Sequence, residues 1–218
     1  MKNKAVRDVL AVVVAILAIP VLYLLVPTVF YFITHPTISL KELNKPIIYE
    51  VVSAKQIETY LSSEIQKNDK LNKYDLIIGS INMIVDREHQ GEVTVIFVEK
   101  DNKRSKVIYA YLDTHKGIFY KFQDAGRESK LYPGIIHLRD WKIDSIDAVR
   151  ISEEFFSSNK DFRYDEILII TTSIYDSNEE ESWNIHLTDI KNKIRYVTSI
   201  NPYSGEVVYH TIYHFPVF

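Results

Sequence analysis

"KYDLIIGSINMIVD", residues Lys73–Asp86, is the stretch on which the fold turns. Ninety residues later it returns as "RYDEILIITTSIYD", Arg163–Asp176, with the same basic residue, Tyr-Asp, β-prone run and closing Asp. A second pair follows in the same order. "YLDTHKGIFY" (Tyr111–Tyr120) corresponds to "SINPYSGEVVY" (Ser199–Tyr209), with Gly117 matched to Gly205. The small change of offset falls in the polar stretches "EKDNKRSK" and "TDIKNK", which read as hairpin turns. Agreement in both order and spacing points to an internal duplication.

Each copy opens with a helix signal. Ser53 and Gln56 form an S-x-x-Q capping box ahead of Ile57, Tyr60, Leu61 and Ile65 at helical spacing. In the second copy Asp144 or Ser145 caps a helix with Ala148, Ser152, Phe155 and Phe156 on one side. Strands then follow. Trp183, Ile185 and Leu187 alternate with Asn184, His186 and Thr188, and Val93, Val95 and Phe97 keep the same phase in the first copy. The expected fold class is α+β: two tandem units, 47–123 and 135–218, each a helix packed on an antiparallel sheet of about four strands. The break between them falls in "DAGRESKLYPG", Asp124–Gly134.

The N-terminus predicts a membrane anchor. From Val9 to Thr34 no charged side chain occurs, and as a helix this length spans about 39 Å, against a hydrocarbon core of about 30 Å. Pro20 and Pro27 are tolerable in a membrane helix, and "FYFITHPT" offers no signal-peptidase site. Lys2, Lys4 and Arg7 precede the span, so residues 1–8 are expected in the cytoplasm and everything after the 9–34 helix outside, in a single-pass arrangement. Removing that flank from 26 basic and 29 acidic residues leaves 23 against 28. Such mild acidity without a basic stripe argues against a nucleic-acid partner.

The second copy carries "WKIDSIDA" (Trp141–Ala148), Trp183 opening a strand, and "INPYSGEVV" (Ile200–Val208). These residues resemble the PepSY family, which has a Trp-x-Ile-Asp-Ser-x-x-Ala helix start, a Trp-led strand and a hairpin ending Ile-Asp-Ala-x-Thr-Gly-Glu-Val. Ile200, Gly205, Glu206 and Val207 fit that hairpin, while Asn201 and Pro202 replace its Asp-Ala. The first copy keeps Asp113 and Gly117 but neither tryptophan. The resemblance implies cystatin-like units behind one anchor, as in membrane-tethered PepSY-like proteins of Gram-positive bacteria. It also implies an extracytoplasmic protein-binding or regulatory role, including restraint of a peptidase.

Reaction chemistry is not legible. There is no cysteine, no G-x-S-x-G, no phosphate loop and no H-E-x-x-H, so no catalytic residue, cofactor or metal is expected. His210 and His214 sit four apart in a β-branched, aromatic run, about 13 Å apart on a strand and too far to share a zinc. His186 across strands supplies no third ligand, and Glu179–Glu181 reads as a solvated loop. What remains is a binding protein at the cell surface, alternatively a structural subunit of a cell-wall, secretion or conjugation complex, or a hydrolase of unrecognised type. Its expected partner is an extracytoplasmic protein, met through the edge strand "EVVYHTIYHF" with Tyr209 and Tyr213 as contact residues, the alternative being that these tyrosines pack between the two units.

Overall fold

A computed structural model describes residues 38–47, 53–100, 106–125, 134–172 and 181–215. Among these residues nine strands form one antiparallel sheet: β1 (Glu42–Pro46), β2 (Leu76–Val85), β3 (Gly91–Glu99), β4 (Val107–Asp113), β5 (Ile118–Asp124), β6 (Glu166–Thr172), β7 (Ser182–Asp189), β8 (Ile194–Ile200) and β9 (Val207–His214). Their order across the sheet is β1-β5-β4-β3-β2-β6-β7-β8-β9. Among the described residues two α-helices accompany them, α1 (Ala54–Gln66) and α2 (Ser145–Phe156).

This corrects the expectation of two separate helix-on-sheet, cystatin-like units. Each half does run helix, then four strands, but residues 39–218 form one compact unit around one sheet. The physical reason is the edge left open by the first strand of each half. Alone, β2 and β6 would each present a row of unpaired N–H and C=O groups. They pair with each other instead, from Asn82 opposite Ile170 to Val85 opposite Ile167. The seam has an approximate two-fold character. Ile81 donates its N–H to Thr171 Oγ1 at 2.8 Å, and these two residues are separated by the repeat offset itself.

Register then defines two faces. Phe119, Leu112, Val93, Met83, Ile169, Ile185 and Thr198 are opposed strand by strand from β5 to β8, and all are buried. Both helices cover this face. Tyr60 of α1 packs edge-on against Phe119, while Ser152 of α2 bonds Thr198 and Phe156 lies on Tyr196. The opposite face carries Tyr111, Thr94, Asn82, Ile170, Asn184, Ser199 and Tyr209 in one row.

The helices begin as their sequences direct. Ser53 and Gln56 make both bonds of the capping box, and Asp144 caps α2. The two N-termini also meet. Asp144 Oδ1 accepts from Ser145 at 2.7 Å and from Lys55 of α1 at 3.3 Å, while buried Ser145 Oγ accepts from Ala54 at 2.9 Å. One carboxylate therefore faces two helix N-termini, where partial positive charge gathers. Among the described residues no helix is long and apolar enough to cross a membrane. The expected 9–34 anchor and its charged flank lie outside the described residues.

Candidate functional site

The two ends of the sheet are built differently. β1 has only five residues, and they include Glu42, Lys45 and Pro46, with a register shift against β5. Lys45 is drawn onto the buried carboxylate of Glu64. Charge, proline and irregularity are the usual means of blunting a sheet edge. β9 has none of the charge or proline. Its eight residues, Val-Val-Tyr-His-Thr-Ile-Tyr-His, carry no Lys, Arg, Asp or Glu. Among the described residues it has β8 on one side and no strand on the other.

The turn before β9 fixes its position. Asn201 Oδ1 accepts from the N–H groups of Tyr203 and Ser204, and Gly205 takes φ +78°, where a side chain is strained. The Pro202 carbonyl accepts from both Lys142 and Ile143 at 2.9 Å, tying the turn to the segment before α2. A Cβ on Gly205 would come within 3.4 Å of Ile143 and Ile151. On the helix-covered face His210 lies 4.7 Å from the ring of Phe155. The strand is thus held at its start and along one side, while among the described residues no strand pairs with its outer edge.

Tyr209 and Tyr213 both lie on β9, opposite Ser199 and Arg195, on the face away from the helices. Each is 52% exposed; Ile212 on the other face is 40% exposed, and Val208, at the register shift, is 51% exposed. The neighbouring Tyr209 hydroxyl raises the pKa of Tyr213. His210 and His214 share the helix-covered face, but His186 is opposed to Val197 on the other one, so His186 and His210 cannot meet around an ion. Among the described residues no group of three metal-binding side chains comes together.

A second polar constellation was not legible. Glu181, expected in a solvated loop, is buried; its neighbours in that run lie outside the described residues. Its Oε2 accepts from Trp141 Nε1 at 2.7 Å and from the Tyr203 hydroxyl at 2.5 Å. Holding that bond, Tyr203 is pushed up to about 12. Trp141 stands edge-on to Trp183 at 4.8 Å, and Trp183 donates to the Ile143 carbonyl. The two tryptophans are therefore a buried brace between the 141–145 segment and β7. Nothing in the sequence spacing names Glu181 as the acceptor of Trp141.

A cleft of about 530 Å³ opens between α1, the start of β2 and residues 136–140. Glu58 and Arg139 form an ion pair at 3.1 Å on its wall. Burial raises the Glu58 pKa, and Arg139 opposes the shift. Ser62, Tyr74, Asp75, Lys100 and His137 also line the cleft.

No family model, curated protein or solved structure matches the chain.

Proposed function

We propose that this chain is a non-catalytic protein-binding module that accepts an extended strand of a partner protein on the open edge of β9. The observation that carries the reading is the contrast between the two sheet edges. One is short, charged and proline-ended; the other is an eight-residue strand without charge and with four exposed large apolar or aromatic side chains. An edge of that kind binds by main-chain hydrogen bonds, with alternate side chains supplying selectivity. Tyrosine suits such a surface because its ring buries area while its hydroxyl keeps a polar partner.

The same reading places the sheet outside a membrane, tethered by the uncharged 9–34 segment, with its partner an extracytoplasmic protein. PepSY membership, and with it restraint of a peptidase, remains part of this proposal on the strength of Trp141, Trp183 and the Ile200–Val207 turn. The test uses the full-length chain in native membranes. Tyr209→Glu and Tyr213→Glu together should remove crosslinked partner proteins seen with the wild type, while tryptophan fluorescence from buried Trp141 and Trp183 stays native. A partner set unchanged in the folded variant contradicts the edge-strand reading. Turnover of a peptide or glycan by the purified chain contradicts the non-catalytic one.

A further inference from the structure

We infer that the strand taken up by β9 is β9 of a second copy of this chain, the two sheets joining antiparallel about a two-fold axis at Thr211. The inference rests on the reading of β9 as a binding edge and names its occupant.

The outward backbone groups can be assigned. Phe215 donates to the Lys193 carbonyl at 3.1 Å, which fixes the hydrogen-bonded phase of the β8–β9 ladder. In an antiparallel pair the phase alternates, so Tyr209, Thr211 and Tyr213 direct their N–H and C=O toward β8. His210, Ile212 and His214 direct theirs away from the sheet, while the register shift between Ser199 and Ile200 leaves Val208 outside this alternation. An approaching strand bonds to those three.

The sequence of β9 is self-complementary in one register. Val208-Tyr209-His210-Thr211 is followed by Ile212-Tyr213-His214-Phe215, a four-residue pattern of apolar, Tyr and His. A two-fold axis perpendicular to the sheet keeps each face on its own side. With the axis at Thr211, Tyr209 opposes Tyr213 of the second copy and Thr211 opposes itself, while His210 meets Ile212. The tyrosine pairs then occupy non-hydrogen-bonded sites, where opposed side chains approach most closely and aromatic pairs stabilise. Moving the axis to His210 sets that histidine against itself and Tyr209 against Thr211. Moving it to Ile212 sets His210 against His214. The Thr211 register alone among these three pairs tyrosine with tyrosine and histidine with an apolar side chain.

The protein already uses this kind of joint. At its centre β2 and β6 merge two four-strand meanders into one antiparallel sheet across the Ile81–Thr171 seam. The β1 edge is unsuited to the same role because Glu42, Lys45 and Pro46 occupy it.

A chain without cysteine makes the register directly readable. In full-length protein in native membranes under mild oxidation, Thr211→Cys should give a disulfide-linked dimer, since opposed strand residues lie within disulfide reach. Tyr209→Cys should not, because two copies of that residue are then about 13 Å apart, and Val208→Cys should not at about 20 Å. Tyr209→Cys with Tyr213→Cys should restore the dimer. Ile212→Pro removes an outward N–H without touching the bonds to β8, and should abolish the Thr211→Cys dimer while tryptophan fluorescence stays native. Equal crosslinking at 208, 209 and 211, or none at 211 in folded protein, overturns self-pairing. If the 211 dimer is absent while other proteins are still captured and then lost in the Tyr209→Glu, Tyr213→Glu variant, the edge reading stands and only the second copy is excluded.

Discussion

Thr171→Val probes the seam that makes one sheet of the two halves. Thr171 is buried, and its hydroxyl accepts the Ile81 N–H at 2.8 Å and lies 3.5 Å from the Ile81 carbonyl oxygen. Valine keeps the shape and the β-branching, so strand propensity and packing are nearly unchanged. What is lost is the acceptor, which leaves a buried backbone N–H without that partner. Such a loss costs about 1–3 kcal/mol. For a unit of this size each kcal/mol lowers Tm by about 2–4 °C, so a fall of roughly 5 °C is expected. Thr171→Ser restores the hydroxyl and should recover most of the difference. The assay is thermal unfolding of the full-length chain, followed by the fluorescence of Trp141 and Trp183, both buried. If Val, Ser and wild type melt together, the Ile81–Thr171 contact is not made and the single-sheet account of the seam fails.

Asp144→Ala removes the carboxylate shared by the N-termini of α1 and α2, and should cost about 1–2 kcal/mol in the same assay, with Asp144→Asn falling between; Asp144→Ala equal to wild type would contradict the shared cap. Asp189 gives a pH prediction. Burial would raise its carboxyl, but the backbone and side-chain N–H groups of Asn192 and the Arg163 guanidinium outweigh that and hold it at about 2. A carboxyl depressed in the folded state stabilises above its unfolded pKa, about 3.9, and loses that contribution as pH falls through the folded value. The stability gap between wild type and Asp189→Asn, measured by denaturant titration, should be constant near pH 6 and narrow from about pH 4 to about pH 2; a gap independent of pH refutes the assignment.

Much of the local structure was legible because it is decided within a few residues. The capping box at Ser53 and Gln56, the cap at Asp144 and the two-residue phase through Trp183, Ile185 and Leu187 each depend on neighbours in sequence, and each forms. The repeat of Lys73–Asp86 in Arg163–Asp176 marked strands that now lie side by side at the centre of the sheet. What the repeat did not carry was their pairing with each other. Two strands with one apolar face look alike in sequence whether their edges meet water or one another, so two sheets were expected where there is one. Glu181 was missed for a related reason. An acidic run reads as solvated, and only the fold brings Trp141 and Tyr203 to its carboxylate. The exposure of Tyr209 and Tyr213 likewise follows from β9 being last in the sheet order, not from their immediate neighbours.

The central claim, that the β9 edge is the binding surface, is tested most directly by photocrosslinking from both ends of the sheet in living cells. A photoreactive phenylalanine replaces Ile212 on β9 in one strain and Leu43 on β1 in another; both positions are exposed. Protein adducts from position 212 and not from position 43 are the predicted result. No adduct from 212, or equal yields from the two edges, would contradict it.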